Sequence, residues 1–163
     1  MKYAKKQYVL AFVRIGLGWI FLWAFLDKVF GLGFATEAES AWLAGGSPTA
    51  GFLQFGTAGP FASVFQGLAG SAFVEWLFMI GLLLIGLALI FGMGVKIAGY
   101  TGALLMLLMW LAVLPPEHNP ILDDHIIYGL ILIGLTFVKS GHWLGLGKWW
   151  SGTELVKKHS FLE

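Results

Sequence analysis

The chain has 163 residues, 58% of them hydrophobic and only 12% charged, with a formal net charge of +1. An ordinary soluble domain has roughly 25% charged residues, so this composition, with its mean hydropathy of +0.82, points to a membrane. No basic stripe or nucleic-acid motif is present, which disfavours nucleic acid as a partner, and the absence of cysteine excludes a CxxC redox pair, a thiolate metal site and a CxxCH-linked haem.

A helix crossing the hydrocarbon core needs roughly 20 mostly apolar residues. Four runs meet or approach that length: 8–30, 72–91, 95–114 and 121–138. The expected fold is therefore all-α, an integral membrane four-helix bundle forming a single domain over 1–163. The first run follows Lys2, Lys5 and Lys6. It is longer than a signal-peptide core of about 7–15 residues and no small-x-small cleavage site follows closely, so it is expected to be retained. Near its inner end Arg14 is expected to snorkel to the interface. Near its outer end Trp23 and Asp27 stand four apart, with Lys28 adjacent.

The connection 31–71 is too long for a structureless loop. Thr36 with Glu39 reads as a capping box, Ser47-Pro48 as an N-cap pair, and Gly59-Pro60 as the start of another short helix. Trp42, Phe52, Phe55, Phe61 and Phe65 make this segment apolar, which suggests short interfacial helices forming a lid over the bundle mouth.

The second and third runs are joined by GMGVK (92–96), short enough to force a hairpin. Ala98-x-x-x-Gly102 and Gly99-x-x-x-Ala103 on the third run are small-x-x-x-small pairs, expected to serve packing within the chain ahead of a dimer interface; homo-oligomerisation stays open. Pro115-Pro116 ends this run, and Asn119-Pro120 reads as N-cap and first position of the fourth helix. The segment 139–163, with Trp143, Trp149, Trp150 and Lys148, reads as an aromatic belt and a basic tail against anionic lipid.

With four spans both termini share a side. Lys2, Lys5, Lys6, Lys96, Lys139, Lys148, Lys157 and Lys158 fall there, eight of the ten basic residues, which predicts cytoplasmic termini; the expected location is the cell (plasma) membrane. Asp27, Glu37, Glu39, Glu75, Glu117, Asp123 and Asp124, seven of the nine acids, fall towards the outer side. Asp27, Lys28, Glu75, His118, Asp124, His125 and Tyr128 thus reach similar depth at the outer mouth. Asp124, His125 and Tyr128 can share one helix face, where histidine handles protons and tyrosine hydrogen-bonds a quinone carbonyl. The aspartates also suit the helix dipole, so a structural network stands beside the chemical reading. No facing pair of histidines supports a haem, and no ligand spacing supports a metal; neither is expected.

Four segments in this order and spacing carry a family resemblance: RIGLGWIFLWAFLDKVFG (14–31), GGSPTAGFL (45–53), EWLFMIGLLLIGLALIFG (75–92) and PPEHNPILDDHIIYGLILIGL (115–135). The chain resembles the DoxX family of small four-span membrane proteins, related to the DoxD subunit of thiosulfate:quinone oxidoreductase. The resemblance implies the membrane subunit of a redox system, oxidising a small sulfur compound such as thiosulfate with quinone as acceptor and working with a protein partner. In that reading His125, Asp124 and Lys28 are catalytic, and Tyr128, Glu75, Asp27, Trp23 and His118 bind substrate or quinone. The alternative is a non-enzymatic membrane scaffold or small-ligand binder that recruits redox partners.

Overall fold

The computed structural model describes residues 3–163, and all regular structure among them is helical. Three helices are long and apolar enough to cross a membrane: α1 (Lys5–Phe30), α3 (Ala72–Phe91) and α4 (Val95–Ala112). The other α-helices are α2 (Ala62–Gln66), α5 (Asp124–Phe137), α6 (Gly147–Ser151) and α7 (Glu154–Lys158).

The fourth expected span is shorter than the sequence suggests. α5 has 14 residues, about 21 Å at 1.5 Å per residue, short of a hydrocarbon core of about 30 Å. The reason lies before it. Asn119 does not cap α5; its Oδ1 accepts from the amides of Ile121 and Leu122, both at 3.0 Å, closing a local turn. Trp110 Nε1 donates to Ile121 O at 3.0 Å, holding that turn against α4. Asp123 is the N-cap instead, its Oδ1 accepting from Ile126 N at 3.3 Å.

Lipid tails are as apolar as the side chains, so close backbone approach must hold such helices together. Small residues provide it at two seams. A Cβ on Gly86 of α3 would lie 2.8 Å from Leu22 N of α1, and one on Gly18 of α1 would lie 2.9 Å from Leu89 and Ile90 of α3. In the second seam a Cβ on Gly99 of α4 would overlap the Thr136 methyl and lie 2.9 Å from Leu132 O of α5. Ala98, Gly99 and Gly102 are buried, so the small-residue face of α4 is used inside the chain. The pairs α1/α3 and α4/α5 are the largest interfaces, joined through α3 and α4. Phe21, Met79, Leu82, Ile85, Leu89, Leu132 and Leu135 fill the core between them.

The reversal from α3 to α4 uses Gly92 (φ 74°) and Gly94 (φ 65°) around Met93, left-handed positions that glycine occupies without Cβ strain. At the opposite end the 31–71 connection does form short helical turns, and it touches three helices. The turn Trp42–Ala44 lies on α1, Trp42 packs edge-on against Trp76 of α3 at 4.6 Å, and Ala58 N donates to Ala112 O of α4 at 2.8 Å. Ser47 caps its turn as expected, accepting from Ala50 N at 3.0 Å, and Pro60 opens the turn Gly59–Phe61. The Thr36–Glu39 capping box does not form. The turn Ala38–Ser40 has Glu37, not Thr36, at its N-cap and no side-chain cap, so Glu39 is not three residues beyond the cap, and Thr36 belongs to the preceding turn, where its carbonyl accepts from Gly33 N at 3.0 Å.

The segment after α5 folds back over the end of the bundle as α6, α7 and two 3-10 turns, with Lys148, Lys157 and Lys158 exposed. Arg14 is the reason. It does not snorkel: it is 0% exposed, and its Nη2 donates at 3.0 Å to the carbonyls of both Trp143 and Leu144. Leu146 N donates to Phe91 O at 2.8 Å, tying the segment to the end of α3. Trp150 Nε1 donates to Leu162 O at 2.7 Å, and Val156 is buried beneath.

Candidate functional site

The polar residues at the loop end separate into distinct groups. On α1, Asp27 is 1% exposed and its carboxylate accepts from Phe34 N at 3.2 Å and Ala35 N at 3.0 Å. Trp23, one turn earlier, packs edge-on against Phe34 with ring centres 5.1 Å apart. The Trp23/Asp27 pair at i, i+4 is thus a clamp on the start of the lid. Lys28 is half-buried beside it. On α3, Glu75 accepts from the Ser47 hydroxyl, so this carboxylate fixes the middle of the lid. Among the described residues no ion pair or side-chain hydrogen bond joins Lys28 or Glu75 to His125.

The second group gathers at the start of α5. His125 Nδ1 lies 2.7 Å from Asp123 Oδ2 and 3.7 Å from Asp124 Oδ1. Asp123 is 15% exposed at its side chain and Asp124 67%, so Asp123, not Asp124, is the hydrogen-bonding partner of the ring. A neutral imidazole donating from Nδ1 to Asp123 leaves Nε2 as its acceptor. One carboxylate therefore performs two tasks: Oδ1 caps the helix and Oδ2 orients the histidine. Tyr128, one turn on, is half-buried against the core.

Beside this group is a recess of about 420 Å³ lined by Val113, Pro116, Glu117, His118, Asn119, Leu122, Asp123 and Asp124. His118 is exposed on its wall. The structure thus gathers Asp123, Asp124, His125 and His118 and leaves Lys28, Glu75, Asp27 and Trp23 to the lid.

Asp123 and Glu117 are the members that sequence reasoning missed as site residues. The signal for Asp123 was its position three before Ile126 and two before His125, masked by the stronger-looking Asn119-Pro120 start. Asp123, Asp124 and His125 also place one ligand atom each within 4.8 Å of one another. A cation held there would compete with the Asp123–His125 hydrogen bond.

These features define an all-helical protein with apolar helices of membrane-spanning length and an acid–histidine cluster where the lid meets the bundle. Comparison with protein-family models, curated proteins and solved structures finds no match to this chain.

Proposed function

We propose that the chain is a DoxX-like membrane protein in which the short α5, with its polar start and the turn before it at the interface, serves as a fourth crossing beside α1, α3 and α4, that both termini are cytoplasmic, and that it serves as the membrane subunit of a quinone-linked redox system. The single observation carrying this reading is the Asp123–His125 pair at 2.7 Å beside a partly apolar recess. Reduction of a quinone consumes two electrons and two protons, and a carboxylate-oriented imidazole is suited to passing protons at neutral pH. Val113, Pro116 and Leu122 offer apolar contact to a quinone ring and His118 a hydrogen bond to one of its carbonyls, while His125, held by Asp123 on the recess wall, exposes an acceptor Nε2 that suits the hydroxyl of the quinol form.

Electrostatics divides the two substrates. Glu117, Asp123 and Asp124 make the recess acidic, which repels a dianion and tolerates a neutral quinone head. A thiosulfate site in this reading rests on Lys28, outside the recess. The test is quinone reduction by reconstituted protein given thiosulfate. Turnover should be lost in His125→Gln and fall strongly in Asp123→Asn, whereas Lys28→Gln should raise KM for thiosulfate. An intact, folded protein that turns over no quinone refutes the enzymatic reading.

A second reading is favoured by the clamps: Asp27 and Glu75 spend their carboxylates on holding the lid, as in a scaffold that presents a fixed surface to redox partners. Reproducible co-purification of one partner by tagged protein, lost when Asp27→Ala releases the lid, supports the scaffold. Turnover by the isolated chain counts against it.

A further inference from the structure

At the end of the bundle opposite the lid, a cavity of about 290 Å³ opens between the start of α4 and the end of α5. Its walls differ in character. Val95, Tyr100 and Phe137 form an apolar side, and Tyr100 and Phe137 continue onto the exposed faces of their helices. Lys96, Lys139 and His142 form the other side.

Glu163 reaches into this cationic side. Its Oε1 and Oε2 accept from Lys139 Nζ at 2.8 and 2.9 Å, and Oε1 lies 3.5 Å from His142 Nε2. Its main-chain oxygen accepts from Lys96 N at 2.8 Å, in the first turn of α4, where free amides and the helix dipole favour anions. Behind the wall, Arg14 touches Gly92, which lines the cavity. The Nε and Nη1 of Arg14 are buried without partners, as is His142 Nε2. Lys139 and His142 therefore face the Glu163 carboxylate directly, with Lys96 on the same wall of the cavity.

We propose that this cavity is a binding site for a phosphate-bearing anion, and that the Glu163 carboxylate occupies it as an internal competitor. The apolar wall running onto lipid-facing surface identifies the occupant as the headgroup of an anionic phospholipid. A basic pocket at the helix ends, with room for the first acyl carbons beside Tyr100 and Phe137, has the chemistry that holds such headgroups.

Native mass spectrometry of the full chain in detergent, titrated with phosphatidylglycerol or phosphatidylcholine, tests this. Phosphatidylglycerol should be retained preferentially. Lys96→Gln with Lys139→Gln should weaken its retention roughly 30-fold, from about 1 kcal/mol per lysine near an anionic lipid. Glu163→Gln should strengthen it several-fold, an opposite change that misfolding does not produce. Inorganic phosphate is the third arm: phosphate that displaces the phospholipid, or raises the melting temperature of wild type but not of the double variant, assigns the site to the phosphate group itself and to a soluble source as well. Equal retention of the two lipids, or no change in either variant, overturns the proposal.

Discussion

Replacing Arg14 with methionine separates the buried clamp from a snorkelling side chain. The guanidinium donates from Nη2 to two carbonyls, of Trp143 and Leu144, at 3.0 Å. Methionine fills similar space and leaves both acceptors without that donor, at about 1–3 kcal/mol each. Removing the charge also relieves its desolvation, since Nε and Nη1 are buried without partners. That gain offsets part of the loss. The lower end of the range, about 2 kcal/mol, is therefore expected, and it raises the population with the 139–163 segment undocked roughly 30-fold. Limited trypsin digestion of the protein in detergent, read at Lys148, Lys157 and Lys158, measures that population directly. Arg14→Lys should fall between wild type and Arg14→Met, because an ammonium keeps the charge and reaches fewer carbonyls. Cleavage of Arg14→Met at the wild-type rate would refute the argument, since it is what an arginine directed to the interface predicts.

The α4/α5 seam gives a controlled comparison: Gly99→Ala meets Thr136 and the Leu132 carbonyl and should cost about 1–3 kcal/mol in detergent unfolding by overpacking. Gly134→Ala, with nothing within 4 Å, should be neutral or stabilising. Asp123→Ala removes a cap and the partner of His125 and should cost about 1 kcal/mol, whereas Asp124→Ala at an exposed position should change unfolding little; equal effects would contradict the assignment of the cap. His142 is held below its ordinary pKa of 6.5 chiefly by burial, with Lys139 and Lys148 acting in the same direction and Glu163 opposing. The unfolded state then binds the proton more readily, so this residue's contribution is complete above about pH 6.5 and declines as pH falls towards the folded value. Tail protection from trypsin should weaken between pH 7 and 5.5 in wild type and less so in His142→Gln.

The second and third long helices were legible because glycines at 92 and 94 separate their apolar runs and Pro115 closes the later one: Ala72–Phe91 matches the expected 72–91, and α4, Val95–Ala112, stops two residues short of the expected 114. The use of Ala98, Gly99 and Gly102 within the chain was also legible, since small residues on one face bring helices close whichever helix is the partner. The start of α5 was not. Asn119-Pro120 and Asp123 are both acceptable caps by local chemistry, and the choice fell to Trp110, which holds Ile121 in a turn against α4. With the start moved to Asp123, the partner of His125 moved as well.

By itself the sequence determined what depends on composition and short-range pattern: an all-helical chain, helices long and apolar enough for a bilayer, glycine turns, and a polar cluster around His125. Tertiary structure decided where each ionisable group went. A charged side chain in an apolar setting takes whichever partner the fold brings near, because leaving it unpaired costs several kcal/mol. Segments outside the helix that carries the charge supplied those partners: the amides of Phe34 and Ala35, just past the end of α1, for Asp27, Ser47 for Glu75, and for Arg14 two carbonyls about 130 residues further along the chain. No periodicity within a single helix encodes such pairings, so Arg14 read as an interfacial residue and Asp27 as a ligand-binding one until the lid and the final segment were seen folded onto them.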